Sequence, residues 1–306
     1  MAASSDERAR NEALWASYNF DDYEGRFAGF TYNMQQIAAL SMKPAVRIQV
    51  GPPGSYKGCL AIMPNGDLIA TPMNPDITGM YRSLVYRSVD DGLSWEQVAA
   101  PADLPGKEHG LAALSDGTLL HVSNGISRSE DGGKTWEACY TQLPGAAFSR
   151  NVEERPDGSL LLIGVNTKQP SAERLLLCTS HDRGRSWDAK EVPVESDYPV
   201  FRGYDLEGRL MAEEPSWLTL PDGRLLCTYA NYHLPYGIFA ILSDDLGTTW
   251  DLGHPIMLAL SGDFYTGWPT TVQLAGGSFV TCYAIAAYLG KEAKWAFQVV
   301  RWELPD

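Results

Sequence analysis

The segment Ser88-Val-Asp90-Asp-Gly92-Leu-Ser94-Trp95 is the strongest indication of the architecture, because three more copies of its pattern follow it. The shared pattern is Ser-x-Asp-x-Gly-x-(Ser/Thr)-Trp, and the later copies, at residues 129–136, 180–187 and 243–250, begin after intervals of 41, 51 and 63 residues. We call each copy a box. Each box predicts a tight turn in which the Asp accepts backbone hydrogen bonds, the Gly adopts a positive φ and the Trp is buried between neighbouring sheets. Such spacing is typical of a radial repeat.

The four box aspartates do not predict calcium sites. Each box supplies one fixed carboxylate, whereas Ca²⁺ takes about six to eight oxygen ligands. The sequence therefore predicts no bound metal and no cofactor.

A second repeat consists of two apolar strands that flank a two-residue turn. The turns are Asn65-Gly66, Asp116-Gly117, Asp157-Gly158, Asp222-Gly223 and Gly276-Gly277. Such turns between apolar strands are the strongest short-range hairpin signal. In the first four units a third strand leads to the box and a fourth follows its Trp, which predicts the four-stranded antiparallel blade of an all-β propeller.

The number of blades depends on the two ends of the chain. The fifth hairpin has no box, and its third strand, residues 293–302, is followed by only a few residues. Residues 46–50 could supply its outer strand and close the ring, while residues 26–42 could add a degenerate sixth blade or a helical cap. We expect one propeller domain over residues 1–306, with a cap or degenerate blade over 1–45 and the box-bearing blades over 56–306. Six blades are favoured, and five are the alternative.

Charge and composition narrow the possible partners and the location. The chain has 24 Lys and Arg against 38 Asp and Glu, a net charge of −14, which argues against a nucleic-acid-binding surface. The N-terminus has no signal-peptide pattern and no run of about eighteen apolar residues occurs. We expect a cytoplasmic protein without a membrane partner, secreted only if a leader has been removed. Five cysteines without Cys-x-x-Cys spacing predict buried, reduced thiols.

Candidate site residues come from one mouth of the predicted propeller. The inner strands of all blades begin there, and the loops between second and third strands flank it. The inner-strand starts supply Lys57, Glu108 with His109, Arg150 with Asn151, Glu213 with Glu214, and Tyr265 with Trp268. The loops supply Asp76, Asn124, Lys168, Asn231 with His233 and Tyr236, and Tyr288. Carboxylates, cations, histidine and aromatic rings in one concave place predict a carbohydrate site.

The boxes and hairpins, together with residues 235–250 and 267–274, resemble the sialidase (neuraminidase) superfamily of Asp-box propellers from about residue 57 to 302. The resemblance implies three arginines that bind a substrate carboxylate, an Asp acid/base, and a Tyr nucleophile activated by a Glu. By position it implies Asp76 as the acid/base and Glu214 as the Glu. The chain departs from the family where Tyr56-Lys57-Gly58 and Asn231-Tyr-His233 replace arginines, and where Trp268 replaces the Tyr; Tyr265 is the nearby substitute.

Three functions follow as hypotheses, of which a sialidase-like glycoside hydrolase is favoured. In a hydrolase, Asp76 protonates the leaving oxygen and Glu214 acts as base or nucleophile, while Lys57 and Arg150 hold a terminal, acidic sugar. In a uronate lyase, His109 or Tyr265 removes the C5 proton. In a non-catalytic propeller the same mouth only binds sugar. The remaining substrate-binding candidates are Glu108, Asn151, Asn231, His233, Tyr236 and Trp268.

Overall fold

The computed structural model describes residues 45–74, 77, 82–101, 104, 110–123, 125–139, 146–166, 174–193, 212–231, 237–245, 249–251, 254–261, 266–289 and 292–304. Only the backbone is described at residues 146–151, 163–166, 174–177, 191–193, 212–214, 286–289 and 292–294. These residues form five antiparallel sheets of four strands each. A helix long and apolar enough to cross a membrane is not found in this part of the chain.

The five sheets are the blades, numbered along the chain. Blade I contains β2 (Leu60–Ile62), β3 (Leu68–Ala70), β4 (Val85–Ser88) and β5 (Glu96–Ala99), and blade II contains β6 (Gly110–Ala113), β7 (Leu119–Val122), β8 (Ile126–Ser129) and β9 (Glu137–Cys139). Blade III contains β10 (Ala146–Glu154), β11 (Leu160–Asn166), β12 (Arg174–Ser180) and β13 (Asp188–Pro193). Blade IV contains β14 (Ala212–Thr219), β15 (Leu225–Asn231), β16 (Gly237–Ser243) and β17 (Ile256–Leu260). Blade V contains β18 (Thr266–Gln273), β19 (Phe279–Leu289), β20 (Glu292–Trp302) and β1 (Val46–Gln49).

The prediction of an all-β propeller with four-stranded antiparallel blades is confirmed, but the preference for six blades is wrong. The described residues form five blades, the alternative that the sequence left open. In blade V, β1 pairs with β20 from Val46 opposite Arg301 to Gln49 opposite Gln298. Because β1 is the fourth strand of this sheet, the fifth hairpin is completed without a further blade. Residues 26–42, the proposed sixth blade or cap, lie outside the described residues.

Inner strands of neighbouring blades contact each other, and apolar side chains fill the joints between blades I and II, II and III, I and V, and IV and V. β2 packs against β6 and β18, β6 against β10, and β14 against β18. The Trp of each of the first three boxes packs on the joint with the preceding blade: Trp95 on the cluster of blades I and V, Trp136 on that of blades II and I, and Trp187 within that of blades III and II. The aromatic burial predicted from the boxes therefore holds neighbouring blades together.

The first box shows why its residue types recur. Asp90 accepts hydrogen bonds from the Ser88 hydroxyl at 2.8 Å and from the Ser94 backbone N–H and hydroxyl at 2.8 and 2.5 Å. Hydrogen bonds from the Ser94 side chain and backbone and from Ser88 lower the pKa of Asp90 to about 2. Gly92 has φ +83° and its N–H donates to the Ser88 hydroxyl at 2.9 Å. Trp95 Nε1–H donates to the Gly92 carbonyl at 3.0 Å, which fixes the ring against the turn.

Candidate functional site

The same place in four blades carries a candidate site residue. Each of these residues precedes the glycine of the following turn by nine positions; they are Lys57, Glu108, Glu214 and Trp268. In blade III this place falls on Ser149, next to Arg150. Glu108 lies outside the described residues, and the others stand at or just before the start of an inner strand. Lys57, Glu214 and Trp268 therefore lie at corresponding ends of the inner strands of their blades.

β-Bulges interrupt the inner strands at this place. In β14, Glu213 pairs with Ala230 but Ser216 pairs with Thr228, so that Glu214 lies in the irregular stretch. The corresponding bulge in β18 lies between Gly267 and Thr270, and the one in β10 lies between Phe148 and Val152. Bulges redirect side chains and are frequent beside active sites. The backbone at Arg150, Asn151, Glu214 and Trp268 thus departs from regular strand geometry.

Two of these residues have a left-handed backbone conformation and contact each other. Lys57 has φ +47° and Trp268 has φ +57°. For residues with bulky side chains this conformation costs about 1–3 kcal/mol, and it is concentrated at functional sites. The Lys57 ammonium lies 4.6 Å from the centroid of the Trp268 ring, within the range of a cation–π interaction. The contact joins blade I to blade V, and both side chains are half-buried.

Two further aromatic rings surround this contact. Tyr56 and Trp295 are stacked, with centroids 5.3 Å apart and planes inclined by 18°. Trp268 meets Trp295 edge to face at 5.8 Å and Tyr56 edge to face at 6.1 Å. We call Tyr56, Lys57, Trp268 and Trp295 the aromatic cluster. Half-buried rings beside an ammonium group can contact the C–H face of a sugar while the cation pairs with a carboxylate.

A buried amide ties the chain before Lys57 to the chain before Asp76. Asn74 is 0 % exposed, and its Nδ2 donates to the Pro53 carbonyl and to the Ser55 hydroxyl, each at 3.1 Å. The backbones of Tyr56 and Met73 exchange two hydrogen bonds of 2.9 Å. Asp76 itself lies outside the described residues, two positions after Asn74.

The structure brings together Lys57 and Trp268 from the predicted set. Asn231, the last residue of β15, is 6 % exposed and pairs with Ala212 and Gly237. The backbone alone is described for Arg150, Asn151, Glu213, Glu214 and Tyr288. Asp76, Glu108, His109, Asn124, Lys168, His233, Tyr236 and Tyr265 lie outside the described residues. The pairing of Asp76 with Glu214 therefore stays a prediction. Within the described ranges, no group of three or more His, Cys, Asp or Glu side chains could hold a metal ion.

Tyr56 and Trp295 were not predicted as site residues. Tyr56 directly precedes Lys57, and an aromatic residue at an inner-strand start was a usable signal. Trp295 lies in β20 opposite Ala286, and the Gly54 N–H donates to its carbonyl at 2.7 Å. Its place beside Tyr56 depends on the strand register and on the joint between blades V and I, which no local pattern specifies.

Comparisons with known proteins identify relatives of low similarity. No protein-family profile matches the chain. It is 25 % identical over 195 residues to the photosystem II assembly lipoprotein Ycf48 of Synechococcus sp. strain CC9902, an alignment that covers 61 % of this chain and 56 % of that protein. A photosystem II assembly protein Ycf48 from Synechococcus sp. strain JA-2-3B'a(2-13) is 32 % identical over 78 residues, 25 % of this chain and 23 % of that protein. The chain thus spans about half the length of the first relative and less of the second.

Solved structures similar to this chain include two enzymes that act on sugars. The Penicillium chrysogenum alpha-L-arabinanase, complexed with arabinobiose, matches with a TM-score of 0.52 and 14 % identity, covering 84 % of this chain and 98 % of that one. The xylan beta-1,4-xylosidase of Bacillus halodurans matches with a TM-score of 0.50 and 13 % identity, covering 82 % of this chain and 54 % of that one. At these identities the likeness shows the fold, a β-propeller of the kind found in glycoside hydrolases.

Proposed function

We propose that this chain is a glycoside hydrolase that releases a terminal acidic sugar. The observation that carries the proposal is the contact between Lys57 and Trp268, two residues held in left-handed backbone conformations at the joint of blades I and V. A strained conformation is retained where the surrounding structure requires it, and such places are concentrated at binding and catalytic sites. The half-buried rings provide a face for a sugar, and the ammonium provides a partner for its carboxylate.

In this proposal Asp76 is the general acid and Glu214 is the base or nucleophile. Two features support these roles. Glu214 lies in the bulge of β14 at the place that Lys57 and Trp268 occupy in their own blades. Asn74 is fixed by two hydrogen bonds from its buried side chain, which anchors the chain close to Asp76. Arg150 joins Lys57 in binding the carboxylate, and Tyr265 is the candidate nucleophile if Glu214 acts as its base.

The test compares wild-type protein with Asp76→Asn and Glu214→Gln on fluorogenic α-sialosides, β-glucuronides, α-L-arabinofuranosides and β-xylosides. We expect release of the fluorophore from an acidic glycoside, and loss of general acid catalysis to lower kcat by about 10²–10⁴-fold in Asp76→Asn. Glu303→Gln is the matched control, since Glu303 is exposed beyond the end of β20. Circular dichroism confirms that each variant is folded. Folded wild-type protein that cleaves none of these substrates contradicts the proposal.

A parallel assay on uronate oligosaccharides linked through O4 separates hydrolysis from elimination, because removal of the C5 proton expels the sugar attached at C4. A uronate lyase forms an unsaturated product that absorbs in the ultraviolet, with no incorporation of water. If this absorbance rises and is abolished by His109→Asn or Tyr265→Phe, the proton abstraction that the lyase hypothesis assigns to these residues replaces the hydrolase proposal.

A non-catalytic binding propeller is the second candidate function. The observation that favours it is the likeness to two relatives named as assembly proteins rather than as enzymes. In this case the aromatic cluster binds a sugar or a partner without turnover. Binding of wild-type protein to a glycan array, lost in Trp268→Ala and kept in the exposed-site variant Glu303→Gln, supports this function if no cleavage is detected.

A further inference from the structure

The chain lies directly on a buried aromatic ring immediately after Lys57. Gly58 is buried, and a Cβ placed on it would overlap the Phe297 ring and lie 2.9 Å even from its Cδ2 atom. Phe297 is 0 % exposed and belongs to the apolar cluster that joins blades V and I. The Cys282 thiol, on the neighbouring strand β19, lies 3.8 Å from the Gly58 carbonyl oxygen. The backbone at Gly58 is therefore tightly packed against the Phe297 ring.

We propose that Gly58 and Phe297 are positioning residues that place the Lys57 ammonium over Trp268. This inference rests on the proposed function only in treating Lys57 as a substrate-binding residue. Any side chain at position 58 must displace the backbone, the Phe297 ring, or both, because protein cores are packed as densely as organic crystals.

The geometry around Lys57 explains why a shift at Gly58 reaches the ammonium. Tyr56 is fixed on one side by its two backbone hydrogen bonds to Met73, and Leu60 is fixed on the other by its pairing with Ala70. Between these anchors the inner strand has one residue more than its partner strand, and Lys57 has a positive φ. A displacement of Gly58 therefore changes the backbone torsion angles of Lys57. These angles determine the direction of the Lys57 side chain towards Trp268.

The test measures the position of Lys57 without any substrate. Folded protein is treated with a limiting amount of an acetylating reagent, and peptide mass spectrometry gives the modification rate of Lys57 relative to the exposed Lys134 and Lys190. We expect Gly58→Ala to raise this ratio by about two- to five-fold, the factor that corresponds to loss of a cation–π contact of about 0.5–1 kcal/mol. Trp268→Leu removes the ring and should raise the ratio by a similar factor.

Two controls separate displacement of Lys57 from loss of stability. Gly66 lies in the same blade, and its φ of +90° makes replacement by Ala strained, but no described atom lies within 4 Å of a Cβ built there. We therefore expect Gly66→Ala to leave the acetylation ratio of Lys57 unchanged. In the double variant Gly58→Ala/Phe297→Leu, the smaller Leu makes room for the methyl group, and we expect the ratio to return towards the wild-type value.

An unchanged ratio in folded Gly58→Ala, or a failure of Phe297→Leu to restore it, overturns the proposal. If Gly58→Ala does not fold, Phe297→Leu alone provides the test, because loss of the ring beneath Gly58 should also raise the acetylation ratio of Lys57. An unchanged ratio then overturns the proposal as well. These outcomes do not depend on glycoside cleavage, so that failure of the proposed function and failure of this inference are distinguishable.

Discussion

Replacement of Gly184 by Ala tests how the boxes hold the blades together. Gly184 belongs to the box of blade III and has φ +82°, and a Cβ built on it lies 2.9 and 3.0 Å from the two Cδ atoms of Leu120 in blade II. Leu120 is 0 % exposed and packs with Leu160 and Leu162 in the cluster between these blades. The Leu120 side chain therefore cannot move aside without disturbing the joint.

The expected loss of stability has two parts. A left-handed conformation costs a non-glycine residue about 1–2 kcal/mol, and insertion of a methyl group into a packed core costs about 1–3 kcal/mol more. We expect Gly184→Ala to lower the free energy of unfolding by about 2–5 kcal/mol in all. Equilibrium unfolding in urea, followed by tryptophan fluorescence and circular dichroism, measures this change.

Gly158 provides a matched control in the same blade. It has nearly the same φ, +81°, but no described atom lies within 4 Å of a Cβ built on it. Gly158→Ala should therefore show only the conformational part, about 1–2 kcal/mol. If the two variants are equally destabilised, the contact between the box and the preceding blade contributes nothing, and the reasoning is refuted.

Three further predictions concern a box carboxylate, a buried ring and the thiols. Asp90→Asn should lower stability by about 1 kcal/mol at neutral pH, since solvent screens this partly exposed group. The Asp90 pKa is depressed from 3.8 to about 2 by its hydrogen bonds from Ser94 and Ser88. Its contribution is therefore present above pH 3.8 and lost as the pH falls towards 2, and urea titrations at several pH values should show the difference from the variant shrinking. Trp187→Ala, at a side chain 8 % exposed, should cost about 3–5 kcal/mol in the same assay, whereas Trp217, 54 % exposed, should tolerate replacement by Ala with a loss below about 1 kcal/mol. All five cysteines are buried, so that a thiol reagent should label none of them before unfolding; labelling of native protein would contradict the burial.

The blades could be predicted because their signals are local. A box needs only eight consecutive residues, and the Asp90 carboxylate accepts hydrogen bonds from Ser88 and Ser94, which lie within four positions of it in the chain. The same holds for the hairpin turns, such as Asn65 with Asp67. The number of blades depends instead on the pairing of β1 with β20, which joins distant parts of the sequence. Residues 26–42 offered a competing interpretation that no local pattern could exclude.

The candidate site could be predicted only in part for the same reason. The inner-strand rule selected Lys57 and Trp268, and the structure shows them in contact. Their positive φ values could not be predicted, because local preference favours glycine in that conformation. Trp295 has the sequence environment of an ordinary core strand, and its contact with Tyr56 arises from packing between two blades. Tertiary packing thus determined the features that distinguish a binding site from a strand end that merely carries polar and aromatic side chains.

The pairing of Val46 with Arg301 has a mechanical consequence. The outer strand β1 enters this sheet beside the point where β20 leaves it, so that a force applied to both ends of the propeller would pull the two strands apart one hydrogen bond at a time. Such peeling resists force far less than shearing a whole strand, where all the bonds must break together. Among the strand pairs that the structure describes, this one joins the residues farthest apart in the sequence, and closure of so long a loop opposes its early formation. The strand that completes the circle is thus expected to be the last to dock during folding and the first to part under tension.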